Sequence, residues 1–166
     1  VGVVCQVALG LSLAIPERKV IALDGDGSLL LNLGILPVLG HERPSNLSII
    51  VFDNGFYEAG GNKRNHSGME TKLEEMARGA GIDAVSVIRT TDEFSTAMRQ
   101  ALTNPGFRFL VAKTEPGRVG GDPKTTSGME IKFRFARYVE ESLGRNIFQA
   151  PTQSFKGTEP KSKEKL

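Results

Sequence analysis

Apolar residues recur every three or four positions from the start of the chain, at Val3, Val4, Val7, Ala8, Leu11 and Ile15. This is the period of a helix with one buried face, and Pro16 ends it. The period then changes. Lys19 to Asp24 is a short apolar run that ends in Gly25-Asp26-Gly27, as a buried strand entering a turn would. Leu47 to Phe52 repeats the arrangement and ends in Asp53-Asn54-Gly55. Ala84 to Ile88 and Phe107 to Ala112 give two further strands. The apolar stretch from Ser28 to Gly40 is too long for a strand and reads as one buried helix, kinked or ended at Pro37.

Helix starts are marked by Ser or Thr three residues before Glu, the pattern of a capping box. It occurs at Ser67–Glu70, Thr90–Glu93 and Ser127–Glu130, predicting helices over about 68–80, 92–103 and 127–143. Two of these starts share the string Ser-Gly-Met-Glu, but the residues around them do not repeat, so they read as two independent caps. Residues 55–68 read as a loop rich in Gly, Asn and Lys. Strands alternating with helices imply an α/β fold, a doubly wound parallel sheet with helices on both faces. After about residue 148 the apolar residues thin out. Residues 1–148 are therefore expected to form one domain and 149–166 a polar tail.

Composition narrows the function classes. The chain has 166 residues, 39% of them hydrophobic, enough for one domain with a core. A net charge of +2 from 21 basic and 19 acidic residues, without a basic stripe, gives no reason to expect a nucleic-acid partner. No apolar run reaches the roughly 20 residues that span a bilayer, so no membrane partner is expected. A single cysteine excludes an internal disulfide and a Cys-rich metal or iron–sulfur site, and suits a reducing, cytoplasmic location. Glycine is abundant at 19 residues, above the usual share of about 7%.

The candidate chemistry lies at two strand ends, where parallel α/β sheets bind ligands. Asp24-x-Asp26-Gly27 suggests a calcium loop, but Leu29 stands where such a loop needs glycine and Ile35 where it needs a bidentate glutamate. A turn with no ligand remains open for the segment taken alone. What changes the reading is Asn54, which follows Gly27 after twenty-six intervening residues, at the end of the next strand.

Gly25-Asp26-Gly27 with Asn54 at this separation resembles the diphosphate-binding motif of thiamin-diphosphate-dependent enzymes. The resemblance covers nearly the whole chain to about residue 143. The segments around Leu23–Gly34 and Phe52–Gly61, together with Ala77–Ile82 and the late stretch from Glu130, are most similar to the sulfopyruvate and phosphonopyruvate decarboxylase group. Asp53 departs from the family's usual Asn-Asn, but the position matched to the metal ligand is kept.

The resemblance implies Mg²⁺ held by the side chains of Asp26 and Asn54 and the backbone carbonyl of Phe56. It implies cofactor contacts from Gly25, Asp26, Gly27, Ser28, Asn54, Phe56, Tyr57 and Glu58. Gly25 and Gly27 are expected to bring amide N–H groups to the diphosphate, aided by the positive end of the following helix. The implied activity is decarboxylation of a 2-keto acid. The activating glutamate belongs to a pyrimidine-binding domain that nothing in this chain matches. The chain is therefore expected to be a subunit or fragment, without its first strand, active in a dimer or higher oligomer with such a partner. Gly2 is matched to the glycine that opens the helix after that strand. A scaffold subunit of the same fold, an acetolactate-synthase-like enzyme and a 2-oxoacid oxidoreductase subunit are the alternatives.

Other polar residues have plainer expectations. Lys63, Arg64 and His66 are either a solvated loop or a cationic site for the tail of an anionic substrate. His41 and Arg118 are expected at surface turns, and Cys5 in the core.

Overall fold

The computed structural model of the chain describes residues 2–117, 127–144 and 146. Four strands, β1 (Val20–Gly25), β2 (Leu47–Asp53), β5 (Val85–Ile88) and β6 (Arg108–Lys113), form one parallel sheet in the order β1-β2-β6-β5. β2 is apolar at consecutive positions because it is inside on both faces, as central parallel strands are. Val20, Ala22, Leu47, Ile49, Val51, Phe109 and Val111 point to one face. There they pack with α1 (Val4–Ala14), α3 (Ile35–Glu42) and α4 (Leu73–Gly79). Ile50, Ile88, Leu110 and Ala112 point the other way, onto Phe94, Ala97 and Met98 of α5 (Thr91–Thr103). Helices on both faces of a parallel sheet are the doubly wound α/β arrangement that the alternation of patterns predicts.

The chain falls into two units, Val1–Val119 and Gly120–Leu166. The sheet and its five helices belong to the first. The second contains α6 (Gly128–Leu143), capped by Ser127, whose hydroxyl accepts from the Glu130 N–H at 3.1 Å. Arg118 and the tail from 149 lie outside the described residues. Among the described residues, no helix is long and apolar enough to cross a membrane.

Three local expectations are corrected. The stretch from Ser28 to Gly40 is two helices rather than one, α2 (Asp26–Leu30) and α3, with a turn between them. Pro37 neither kinks nor ends a helix. It sits in the first turn of α3, where the N–H it lacks would have had no partner within the helix. Residues 55–68 are ordered, forming the hairpin β3 (Phe56–Tyr57) and β4 (Lys63–Arg64) followed by a 3₁₀ turn at His66–Gly68. Ser67–Glu70 is not a capping box. α4 starts later, at Leu73, and its N-cap Lys72 makes no side-chain cap. The Thr90–Glu93 box is formed in both directions, with the Thr90 hydroxyl accepting from Glu93 N–H and the Glu93 carboxylate accepting from Thr90 N–H, each at 3.2 Å.

Cys5 is buried in the core, 1% exposed, and its thiol donates to Asp24 Oδ2 at 3.4 Å. Burial, the neighbouring Asp24 charge and this hydrogen bond all favour the neutral thiol, whose pKa is pushed up to about 12. A buried, protonated thiol is a poor nucleophile. In native buffer at pH 8 Cys5 is expected to resist a disulfide reagent such as DTNB and to react only as denaturant opens the fold. Stoichiometric labelling of the native chain within minutes would contradict this placement.

Candidate functional site

The register of β1 on β2 brings the two halves of the motif together. Gly25 pairs with Phe52, so Asp26 and Asp53 leave the carboxyl ends of adjacent strands side by side. β6 extends the edge by pairing Lys113 with Asp53. A cavity of about 700 Å³ opens at this edge. From the β1–α2 junction it is lined by Gly25, Asp26, Gly27 and Ser28, and from the segment after β2 by Asn54, Phe56, Tyr57 and Glu58. All eight residues named from the sequence therefore border one space. Lys63, one of the three loop cations considered from the sequence, also lines it, as do Leu31 and Phe52, which the sequence reading did not anticipate. Arg64 and His66 are exposed and are not among the described lining residues.

Asp26 is the best-anchored side chain of the site and only 3% exposed. Its Oδ1 accepts from Gly27 N–H at 2.7 Å. Its Oδ2 accepts from Gly55 N–H at 2.7 Å and from the Ser67 hydroxyl at 2.9 Å. The carboxylate thus spans the ends of β1 and β2 and holds them at a fixed separation. Asn54 Oδ1 accepts from Phe56 N–H at 2.9 Å, an Asx turn that folds the chain back toward the cavity and leaves the amide oxygen a second lone pair. Ser28 Oγ accepts from Gly2 N–H at 3.0 Å, tying the start of the described chain to the motif loop. Glu58 Oε1 accepts from Gly117 N–H at 2.6 Å.

The glycines act differently from the expectation that both present free amides to an anion. Gly25 N–H donates to Asp24 Oδ1 at 2.9 Å, and Gly27 N–H to Asp26. A Cβ on Gly27 would lie 2.5 Å from the Tyr57 ring, so the missing side chain is what seats that aromatic wall. A Cβ on Gly25 would meet nothing within 4 Å and would project into open space, so this glycine keeps the cavity floor bare.

Behind Asp26 lies a chain of polar contacts absent from the sequence reading. The Ser67 oxygen is 2.7 Å from Asp53 Oδ1 as well as 2.9 Å from Asp26 Oδ2. Lys113 Nζ donates to Asp53 Oδ2 at 2.6 Å and to Glu74 Oε2 at 3.1 Å. Burial pushes the Asp53 carboxyl up, but the hydrogen bonds from Lys113 and Ser67 outweigh it, and the group lies below the ordinary carboxylate value. Its contribution to stability is therefore present above the ordinary carboxylate pKa and is lost as pH falls through the lowered value. Burial likewise pulls the Lys113 ammonium down, and its two carboxylate partners more than restore it, leaving the pKa above the usual lysine value. One signal in the sequence points to this pair. Asp53 and Lys113 are opposite charges at the carboxyl ends of two largely apolar strands.

The donor set bears on which cation could sit here. Among the described residues, no three His, Cys, Asp or Glu side chains gather into a metal site. A cation at this edge would rest on one carboxylate supplemented by amide and backbone oxygens. That is the hard-oxygen set of a Mg²⁺ shared with a bound phosphate, not the set of zinc or iron. Asp53 and Glu74 share the Lys113 ammonium, and buried Asp26 has no ion pair among the described residues, so added positive charge would be favoured electrostatically.

Residues 1–112 match the family model described as thiamine pyrophosphate enzyme, C-terminal TPP binding domain. The chain is 35% identical over 141 residues to the sulfopyruvate decarboxylase subunit beta of Methanocaldococcus jannaschii, covering 85% of this chain and 74% of that one. It is 35% identical over 140 residues to the phosphonopyruvate decarboxylase of Streptomyces viridochromogenes, covering 83% of this chain but 34% of that one. Among solved structures it is similar to the thiamine diphosphate-dependent 4-hydroxybenzoylformate decarboxylase of Rhodococcus jostii RHA1. The TM-score is 0.58 at 25% identity, over 72% of this chain and 24% of that one. The chain thus spans about a quarter of that structure.

Proposed function

The chain belongs to the thiamine pyrophosphate enzymes, through their C-terminal cofactor-binding domain, and from that membership we propose that it supplies the diphosphate- and Mg²⁺-holding half of a 2-keto-acid decarboxylase active site. The observation that carries this reading is the convergence of Asp26, Asn54 and the Phe56 segment on one cavity at the carboxyl edge of the sheet. Asp26 and Asn54 would give side-chain oxygens to Mg²⁺ and Phe56 its backbone carbonyl, while Gly25 and Ser28 border the space for the diphosphate. When bound, thiamine diphosphate supplies the electron sink that decarboxylation of a 2-keto acid requires.

The residues of this chain hold and enclose. The hydrogen bonds to Asp26 fix its carboxylate before any ligand arrives, so little ordering remains to be done on binding. Tyr57, Phe56, Leu31 and Phe52 give the cavity apolar walls that displace water from the reacting region. Among the described lining residues Lys63 is the one cation, placed on β4 where it can attract an anionic group. That position, with the similarity to sulfopyruvate and phosphonopyruvate decarboxylases, favours a substrate carrying a sulfonate or phosphonate tail. The carboxylate that activates the cofactor belongs to a pyrimidine-binding domain on a partner, as the name subunit beta of the similar proteins suggests. The assembly is a dimer or higher oligomer, and a cytoplasmic location suits it.

Reconstitution tests this reading. With Mg²⁺, thiamine diphosphate and a partner bearing the pyrimidine domain, the chain is expected to release CO₂ from sulfopyruvate or phosphonopyruvate. Alone it is expected to give no turnover above the blank. Equal rates with and without the partner would refute the half-site. A complex that ignores both substrates but decarboxylates a 2-keto acid with an uncharged tail would refute the role given to Lys63.

A further inference from the structure

The contacts of Ser67 are not explained by the fold. The residue opens a pattern that looks like a helix cap, yet it caps nothing, because α4 begins six residues later. Its backbone is instead pinned against the end of β2. The Asn65 side chain accepts from the N–H groups of Ser67 and Gly68 at 2.9 and 3.2 Å. Gly68 approaches Gly55 so closely that a Cβ on Gly55 would lie 2.7 Å from Gly68 Cα. Gly55 itself holds φ +75°, a conformation glycine adopts readily. The turn His66–Gly68 is thus locked where its one hydroxyl reaches both Asp26 and Asp53, 41 and 14 residues away.

We infer that Ser67 is a positioning residue for Asp26, joining the metal-ligand carboxylate to the Asp53–Lys113 pair so that Asp26 presents a fixed oxygen to Mg²⁺ diphosphate. The inference rests on the reading of Asp26 as a metal ligand. A hydroxyl carries one proton, and the oxygens of Asp26, Asp53 and Asn65 lie 2.9, 2.7 and 2.7 Å from Ser67 Oγ, so it donates to one of the three at a time. The Asp53 side of the contact is anchored by Lys113, which Glu74 holds in turn. Asp26 is therefore braced from three directions, by the Gly27 amide, the Gly55 amide and the Ser67 hydroxyl. The first two are backbone groups that no side-chain substitution removes. Ser67 is the brace that sequence can change. Partners that orient a metal ligand in this way are typically worth about 10- to 100-fold in metal affinity.

The experiment is a Mn²⁺ titration of the full chain with its pyrimidine-domain partner, at a fixed thiamine diphosphate concentration whose own Mn²⁺ binding is subtracted, reading free Mn²⁺ by electron paramagnetic resonance, for the unsubstituted chain, Ser67→Ala and Ser67→Thr. Ser67→Ala is expected to weaken Mn²⁺ binding by about 10-fold or more, and Ser67→Thr, which keeps the hydroxyl, to restore most of it. Melting temperatures taken without metal or cofactor separate the two roles. A merely structural serine would lower the melting temperature and leave the Mn²⁺ affinity of the folded chain unchanged. Equal affinity in Ser67→Ala and the unsubstituted chain overturns the inference while leaving the cofactor reading intact. No Mn²⁺ binding by the unsubstituted chain overturns both.

Discussion

Asp26→Ala is expected to bring the affinity for thiamine diphosphate in Mg²⁺ down to the affinity measured without Mg²⁺. Groups that only orient a metal ligand cost about 10- to 100-fold when removed, so loss of a ligand itself should cost about 100-fold or more. The reason lies in charge and in geometry together. Mg²⁺ requires hard oxygens in a near-octahedral arrangement, and Asp26 is the only carboxylate among the three protein ligands assigned to it. The substitution also leaves the Gly27 and Gly55 N–H groups without their acceptor. Each orphaned buried donor costs about 1–3 kcal/mol, so the variant should be less stable as well. Asp26→Asn removes the charge while keeping the shape and one acceptor oxygen, and it sets its NH₂ against either the Gly27 or the Gly55 N–H. Calorimetric titration with and without Mg²⁺ reads the outcome. A folded Asp26→Ala chain with unchanged Mg²⁺-dependent affinity would remove Asp26 from the site.

The second large effect concerns stability. Gly40 lies inside α3, where alanine is ordinarily better than glycine by about 1 kcal/mol. Here the sign reverses, since a Cβ at Gly40 would stand 2.2 Å from the Ala80 carbonyl oxygen. That neighbour is backbone at the end of α4 and cannot rotate away. Separating α3 from α4 would disturb Leu36, Leu39, Leu73 and Ala77, all fully or nearly fully buried. It would also pull Arg43 from the Gly81 carbonyl and from Asp83. Gly40→Ala should therefore lose about 2–3 kcal/mol or more, the upper range for an overpacked core. Gly10 in α1 supplies the contrast, because a Cβ there meets nothing within 4 Å. Gly10→Ala should gain about 0.5–1 kcal/mol. Urea unfolding of both variants checks the pair. A Gly40→Ala chain as stable as the unsubstituted one would mean that α3 and α4 do not meet as described.

Much of the fold was legible because the sequence signals were periodic. β2 is apolar at every position from Ile49 to Phe52, and α1 and α5 carry clear helical spacing, with a formed capping box at Thr90. The eight candidate site residues were legible for another reason. The two motif segments end adjacent parallel strands, so residues far apart in sequence arrive at one edge. Resemblance to a family then gave that edge a chemistry that spacing alone could not.

The readings that failed were local patterns overridden by distant partners. Ser67–Glu70 has the form of a cap, but Asp26 and Asp53 take the hydroxyl. Gly27 has the form of an anion-binding amide, but its N–H is spent on Asp26 and its missing side chain serves Tyr57. Pro37 reads as a breaker because a mid-helix proline is one. Only the placement of the turn before Ile35 reveals that it lies in a first turn. Glu74 gave no signal, and the pairing of Lys113 with Asp53 depends on sheet order, β6 lying beside β2, which no window of sequence contains.

The carboxyl edge of β1 and β2 is proposed to hold a divalent cation that carries the diphosphate. The most direct test is a crystal structure of the partnered chain with thiamine diphosphate and Mn²⁺, recorded for anomalous scattering. The predicted result is one anomalous peak in the cavity, about 2.1–2.2 Å from oxygens of Asp26, Asn54 and the Phe56 carbonyl, near the distance a hard divalent cation keeps. A peak bound elsewhere, or a diphosphate seated in the cavity with no metal on Asp26, would contradict it.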